Sequence, residues 1–385
     1  MRVLCTSPSG LGHIHPMVPL AKALMARGHD VLFATPADGV AHVERTGVRA
    51  VAAGPAGLPG PVEIQELFPE LKLMPPERRP EIMFGKIFGA VAAPAILEDL
   101  SPIALEWRPA LVIADAAEFA GHIVAAELGI PSVTKGFGAI LPVKRVAGAA
   151  VEVEPLWRSR GLEPRPYGGS YDHLYLDIYP PELQPDGAPH ILNSQLLRPI
   201  TDDGRLDDSG PVPLPDGRAG APLVYVTMGT VFNNPQPLQA VIGALDELDT
   251  RVLVTIGPKA DPAIFGKQPP PVRVEQYVPQ ALVLPHCDVV VSHAGSGTML
   301  ATLMHGLPQL CLPQGADQFL NAAAVAASGA GISLMPGEAT PKAIHDAVAR
   351  LLGDAAFGQA ARRVAASIAS MPSPDDVAPT LEALA

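Results

Sequence analysis

The sequence predicts an α/β fold of two doubly wound, Rossmann-like domains facing each other across a cleft. Short apolar strands alternate with amphipathic helices in both halves, the pattern of a parallel sheet covered on both faces. Between about residues 155 and 222 that pattern lapses, and Pro, Gly and Asp accumulate, as in Pro180-Pro181 and Asp202-Asp203-Gly204. A chain of 385 residues is also long for one core, since domains commonly run to about 100–200 residues. Together these place a first domain over 1–200, a linker over 201–221 and a second domain over 222–371. A C-terminal helix over 372–385 is expected to pack back on the first domain.

In the first half, Val3-Leu4-Cys5-Thr6 reads as a strand and Ser9-Gly10-Leu11-Gly12-His13 as a loop. Met17 to Arg27 carries apolar residues at helical spacing, with Gly28 as the stop. Val31 to Ala34 is the next strand. Ala110 to Ala114 reads as a strand, Glu118 to Leu128 as a helix ended by Gly129, and Pro131 to Thr134 as a strand. The proline-rich stretch Gly54 to Glu98 departs from this regularity and holds Phe68, Met83, Phe84 and Phe88. It reads as a mobile apolar wall for a bulky ligand, with disorder as the alternative.

The second half opens with Leu223 to Thr227, ending in Met228-Gly229-Thr230. Pro237 to Leu248 reads as a helix, and Arg251 to Ile256 and Val272 to Gln276 as strands. The apolar run Val289-Val290-Val291-Ser292 leads into His293-Ala294-Gly295-Ser296-Gly297-Thr298 and a helical pattern. That arrangement puts backbone N–H groups at a helix N-terminus, where a phosphate can sit. A strand from Gln309 to Leu312 and helices from Phe319 to Ala327 and Pro341 to Leu352 follow, with no repeat at solenoid periods.

Charge and composition exclude several classes. A net charge of −12 leaves no basic surface for counterion release, so nucleic acid is not an expected partner. Cys5, Cys287 and Cys311 are far apart and lie in or beside apolar runs, as buried thiols in a reducing compartment do. The first strand follows Met1-Arg2 directly, without the features of a signal peptide. No uninterrupted apolar run approaches the ~18 residues of a membrane helix. A soluble, cytoplasmic protein with no membrane association is expected; a homodimer is compatible with the sequence.

Gly12-His13 with Pro16, Gly229-Thr230, Tyr277-Val278-Pro279-Gln280, His286, His293-Ala294-Gly295, Gly306-Leu307-Pro308, Pro313 and Asp317-Gln318 together resemble the inverting GT-B glycosyltransferases that use nucleotide sugars. The actinomycete branch that decorates antibiotic aglycones is the nearest in look. The likeness spans nearly the whole chain, and its Tyr277 to Gln318 block is the specific part.

The resemblance implies that His13 is the general base for an acceptor hydroxyl and that Asp115 orients its ring. Imidazole suits this because its unperturbed pKa of ~6.5 lies near working pH. Read from the residues alone, a loop histidine that caps the following helix is equally admissible. Glu118 is a lesser rival to Asp115, read as lying one turn into its helix, and His15 is taken as structural. For the donor, the resemblance assigns Gly12, Gly229, Thr230, His293, Gly295, Ser296, Gly297 and Thr298 to the diphosphate side. It assigns Tyr277 and Val278 to the base, and Asp317 and Gln318 to the sugar hydroxyls. The competing readings are a backbone-bonded strand-end histidine at 293, a core strand tyrosine at 277 and a helix N-cap at 317. Phe68, Met83, Phe84, Phe88 and Phe137 are the expected acceptor wall.

Plant-like relatives carry a Glu eight positions after the motif His, where it binds ribose hydroxyls; this chain has Ala301. Losing a charge-assisted bond of ~1.5–3 kcal/mol penalises a ribonucleotide, so a dTDP-sugar donor is expected over a UDP-sugar. The pair of glutamates frequent in retaining relatives is absent after Pro313, which favours inversion. No Asp-x-Asp metal signature follows a strand, and no cofactor is expected beyond the donor. Two other classes remain: a non-catalytic nucleotide-sugar-binding or helper protein, and an NAD(P)-dependent oxidoreductase. The latter is disfavoured because Ser9 to His15 lacks the third glycine of the dinucleotide fingerprint.

Overall fold

The structure is a computed structural model and describes residues 1–74, 79–184, 188–200, 212–229, 235–257 and 260–385. It divides into two compact units. One comprises Met1–Tyr179, Asp186–Gly204 and Pro372–Ala385; the other comprises Pro180–Pro185 and Arg205–Met371.

The first unit is built on a parallel sheet of β1 (Arg2–Thr6), β2 (Asp30–Thr35), β3 (Arg49–Ala52), β4 (Leu111–Asp115), β5 (Ser132–Lys135), β6 (Leu174–Asp177) and β7 (Ser194–Leu196). Its order is β3-β2-β1-β4-β5-β6-β7. Every residue of β4 and β5 is buried, as expected of central strands covered on both faces. The helices are α1 (Leu11–Ala26), α2 (Ala37–Glu44), α3 (Pro61–Leu67), α4 (Arg79–Phe84), α5 (Ala93–Trp107), α6 (Ala120–Leu128) and α7 (Val143–Ser159).

The second unit holds β8 (Leu223–Thr227), β9 (Arg251–Thr255), β10 (Val272–Glu275), β11 (Val289–Ser292), β12 (Gln309–Cys311) and β13 (Gly331–Ser333), ordered β10-β9-β8-β11-β12-β13. Its helices are α8 (Pro235–Leu245), α9 (Gln280–Val283), α10 (Ser296–Met304), α11 (Gln318–Ser328), α12 (Pro341–Gly353) and α13 (Ala355–Ser370). Two apolar clusters pack around this sheet, one with Val224, Val291 and Leu351, the other with Tyr225, Val290 and Ala301. The last helix, α14 (Pro374–Leu384), belongs to the first unit and packs on α1. There Glu382 accepts from Arg27 Nε and Nη2 at 2.7 Å and contacts His29 Nε2 at 2.8 Å.

In each sheet the strand order reverses once, between β1 and β4 and between β8 and β11. The chains leaving such neighbouring strands diverge to opposite faces and open a crevice at their C-terminal ends, the usual ligand position in open α/β sheets.

Several elements differ from the sequence-based expectation. The helix expected from Met17 starts at Leu11 and runs through Pro16 and Pro19. Each proline removes a helical donor, but the buried face of Ile14, Met17, Val18, Ala21 and Leu24 holds the helix against the sheet. The stretch expected to be an irregular, mobile wall is largely helical instead. α3 and a 3₁₀ turn (Pro69–Leu73) lead to α4, a π-helical segment (Gly85–Ala92) and α5. Apolar residues in 81–107 recur at helical spacing, and the prolines before and within that run obscure the pattern. Glu81–Trp107 is also long and apolar enough to cross a membrane by length and composition, although here it packs on α6 and α7 within its own unit. The region around 155–222, where the helical period is expected to lapse, contains the end of α7, through Pro155, and the short strands β6 and β7. Of the expected linker, residues 201–211 lie outside the described residues.

The first unit contains a buried histidine with a consequence for acid stability. His122 on α6 meets Ser132 Oγ at 3.0 Å and Thr134 Oγ1 at 3.2 Å, and burial, assisted by His173, pushes its pKa down to about 3. A folded-state value below the unfolded one stabilises the fold fully above pH ~6.5, and that stability is lost as pH falls through this window towards 3. His122→Gln should therefore flatten the fall in melting temperature between pH 6.5 and 4. An unchanged slope would contradict the assignment.

Candidate active site

At the crevice of the first sheet, β1 and β4 run in register with Thr6 beside Ala114. The next residue of β4 is Asp115, and the turn after β1 feeds the first turn of α1, which carries His13. Their side chains meet, with His13 Nδ1 2.9 Å from Asp115 Oδ1. A carboxylate only accepts, so this bond places the proton on Nδ1 and makes Nε2 the basic nitrogen. The His13 side chain keeps 17% exposure while Asp115 has 1%, an accessible base on a shielded orienting group. Asp115 Oδ1 also accepts from Ala117 N at 2.9 Å, which pins the carboxylate.

Glu118, the rival carboxylate, lies before α6 rather than one turn inside it. It accepts from Thr6 Oγ1, from Ala120 N at 2.6 Å and from Gly121 N at 2.9 Å. Its oxygens are thus committed to the helix start, where unpaired N–H groups demand acceptors. Burial raises its pKa against those bonds. His15 stacks edgewise near His42, 6.5 Å between centroids, rather than at the dyad.

Two of the expected wall residues touch His13. The Phe137 ring stands edge-on at 4.7 Å and Phe88 at 5.6 Å between centroids. Phe84 supports Phe88 from behind at 4.9 Å. Phe88 lies in the π-helical segment, and such segments recur at functional positions because they re-aim one side chain of a helix. Gly85 and Gly89 bring that segment against α7: a Cβ on Gly85 would lie 3.1 Å from Ala149 N, and one on Gly89 3.0 Å from Ala149 O. Phe68 is elsewhere, under the Lys86 ammonium at 4.7 Å, and Met83 is half-buried on α4 outside this ring group.

In the second sheet, Ser292 of β11 is in register with Thr227 of β8, so Gly229 and His293 leave neighbouring strands at the crevice. The His293 imidazole is clasped between two glycines. A Cβ on Gly229 would lie 2.6 Å from its Cε1, and one on Gly295 2.5 Å from its Nε2. Gly229 also has φ of 73°, a conformation costly for any other residue. Burial pushes the His293 pKa down to about 4, against the pull of Asp317 and a bond that the ring donates to the Thr227 backbone. The ring is therefore neutral near pH 7. Helix α10 begins at Ser296, so the N–H groups of Ser296, Gly297 and Thr298 fall in its first turn, where no intrahelical acceptor exists. Gly12 sits in the first turn of α1 with open space beside its Cα. Thr230 lies outside the described residues.

Asp317 stands at the N-cap position of α11 but makes no side-chain capping bond. Its Oδ2 accepts instead from Ser296 Oγ at 2.6 Å and Asn321 Nδ2 at 2.9 Å. Gln318 Oε1 accepts from Gln314 N at 2.7 Å and Gly315 N at 3.1 Å, shaping the loop after β12. Asn321 was not among the expected site residues. Its Nδ2 also lies 2.9 Å from the carbonyl of Ala294, which adopts φ of 62°, and 3.0 Å from Ser296 Oγ. The available signal was spacing, since Asn321 is one helical turn beyond Asp317. Tyr277 is half-buried in the loop after β10 rather than in a strand, while Val278 packs its side chain with Val283 and Leu284.

The chain has counterparts among known proteins. The model of the erythromycin biosynthesis protein CIII-like C-terminal domain matches residues 239–384. The chain is 36% identical to elloramycin glycosyltransferase ElmGT of Streptomyces olivaceus, over 99% of this chain and 97% of that protein. The chain belongs to the antibiotic glycosyltransferases of the GT-B fold. This glycosyltransferase is also 33% identical to the L-demethylnoviosyl transferase of Streptomyces niveus, over 100% and 98% of the two chains. Among solved structures it superposes on spinosyn rhamnosyltransferase SpnG complexed with thymidine diphosphate, with a TM-score of 0.81, 29% identity, and 99% and 100% of the chains covered. SpnG complexed with spinosyn aglycone gives a TM-score of 0.80, again at 29% identity and with 99% and 100% covered. Membership of this family accounts for both sheets and for a hexosyltransferase activity.

Proposed function

We propose that this glycosyltransferase moves a deoxysugar from a dTDP-sugar to a hydroxyl of an apolar natural-product aglycone, inverting the anomeric carbon without a metal. The observation that carries the reading is the His13–Asp115 pair, 2.9 Å apart at the first sheet's crevice and flanked by Phe88 and Phe137. A purely binding or helper protein has no use for an oriented, accessible base.

In this reading the aglycone lies against Phe88 and Phe137 with its hydroxyl at His13 Nε2. The imidazole takes the proton as the hydroxyl oxygen attacks the anomeric carbon, and Asp115 stabilises the resulting imidazolium. As the new C–O bond forms, the bond from the anomeric carbon to the diphosphate breaks. The leaving charge is met by the N–H groups of Ser296, Gly297 and Thr298 and by the neutral His293. A helix terminus alone gives ~0.3–1 kcal/mol at exposed sites and up to ~2 when partly buried, so direct hydrogen bonds from several donors must share the load. Gly229 and Gly295 keep that turn in shape, Tyr277 faces the nucleobase and Val278 meets its edge through the backbone. Asp317 and Gln318 address the sugar hydroxyls. Among the described residues no group of three or more His, Cys, Asp or Glu stands ready to hold a metal ion.

Ala301 supports the choice of nucleotide. It is 1% exposed and packed in the apolar cluster around Val290, so the chain supplies no carboxylate there for a ribose. SpnG, structurally similar throughout, was solved with thymidine diphosphate.

The test is incubation of the protein with dTDP-glucose or UDP-glucose and a panel of aromatic and macrolide aglycones, followed by mass spectrometry and NMR of the product anomer. A new glycoside formed from the dTDP donor, with the opposite anomeric configuration and stronger competition by dTDP than by UDP, is expected. Retained configuration would remove the single-displacement mechanism, and tighter UDP binding would remove the nucleotide assignment.

A further inference from the structure

A lysine lies buried beside the proposed base. Lys135 ends β5, between Asp115 at the end of β4 and Asp177 at the end of β6, and pairs in register with Asp115. It is 2% exposed, and its Nζ donates to Gly136 O at 2.9 Å. A central strand position of this kind ordinarily takes an apolar side chain, because a buried ammonium costs several kcal/mol of lost hydration. What surrounds it is acidic. Asp115 pairs with it from β4, with its Oδ2 buried and unpartnered; Asp177, one residue beyond its β6 partner Leu176, is buried, acts on it electrostatically and accepts through Oδ1 from Tyr179 N at 2.9 Å. Tyr175, also on β6, brings its hydroxyl against Gly136. Glu118, in the loop before α6, interacts electrostatically with Asp115, and His13 reaches Asp115 from α1. Lys135 thus lies between two carboxylates, of which its register partner Asp115 holds His13.

We propose that Lys135 is a positioning residue for sugar transfer, its ammonium offsetting the charge of Asp115 and so setting the proton affinity of His13. The inference rests on the reading of His13 as the base. Burial pushes the Lys135 pKa down to about 7, against the opposing pull of Asp115 and Asp177, so the group changes charge within the working range. The sign follows from Coulomb's law. A positive Lys135 disfavours a second positive charge on the nearby imidazole, and removing it makes His13 hold its proton more tightly.

The test is NMR titration of the full-length protein labelled with ¹³C-histidine and ¹³C-lysine, the His13 and Lys135 signals being assigned with His13→Gln and Lys135→Met. In unaltered protein the Lys135 Cε signal should titrate far below the ordinary lysine range, and the His13 ring should show a second inflection at that same pH. In Lys135→Met the His13 proton affinity should rise about tenfold, carrying the acid limb of kcat/KM about one pH unit upward. An unmoved His13 titration in Lys135→Met that still binds dTDP would overturn the proposal. If that variant does not fold, the unaltered protein decides: a His13 ring signal with no inflection at the pH where Lys135 titrates overturns it equally. Failure of the base assignment looks different, since His13→Ala would then keep full turnover whatever the titrations show.

Discussion

His13→Ala is expected to lower kcat by about two to four orders of magnitude, the usual contribution of a positioned general base. The affinity for dTDP should stay within about twofold of the unaltered protein, because, Gly12 apart, the residues assigned to the donor belong to the other unit. Asp115→Asn should lower kcat as well. An amide offers the ring both a donor and an acceptor, so the tautomer with a proton on Nδ1 is no longer enforced. Steady-state turnover together with calorimetric titration of dTDP separates the two quantities. Full turnover by His13→Ala would end the assignment of the base, and a parallel collapse of dTDP affinity would show that the substitution had damaged the protein generally.

Gly229→Ala should act in the opposite way. The position has φ of 73°, and a Cβ there would meet the His293 ring at 2.6 Å. Backbone strain of this kind costs about 1–3 kcal/mol, and the ring, clasped on its other side by Gly295, has little room to yield. Either the glycine turn unwinds or His293 is displaced, and both spoil the surface offered to a diphosphate. A rise in the dTDP Kd of at least about tenfold is expected, equivalent to ~1.4 kcal/mol, while binding of an aglycone in the absence of donor should be unaffected. Unaltered dTDP binding would separate this turn from the donor.

The sheets and the dyad are legible in the sequence for a common reason. Fully buried parallel strands must be short apolar runs, so the residues at and just beyond their C-terminal ends stand out against them, as Asp115, Gly229 and His293 do. The roles given to them came from the motif resemblance, not from periodicity. The proline-rich stretch before α5 is where local signals mislead. Pro61 and Pro69 stand at helix starts and Pro94 and Pro102 in α5 itself, and the helical run is held by packing on α6 and α7. Phe88 and Phe137 reach His13 from separate segments, and only the fold shows that Phe68, of the same chemical type, does not. Lys135 and Asn321 escape for another reason: each draws its meaning from partners in other segments, Asp115 and Asp177 for the lysine and the Ala294 carbonyl for the asparagine.

The path of the chain matters to anyone who would recombine this enzyme with its relatives. Helix α14 returns to the first unit, where Glu382 grips Arg27 and His29, and the short segment Pro180–Pro185 is counted with the second. A hybrid spliced once, near residue 205, would join the amino-terminal half of one parent to the closing helix of the other and lose a matched set of charges. A graft with a second junction near residue 372 would bring each sheet its own helices, so specificity for the two substrates should be exchangeable between parents only when both junctions are made.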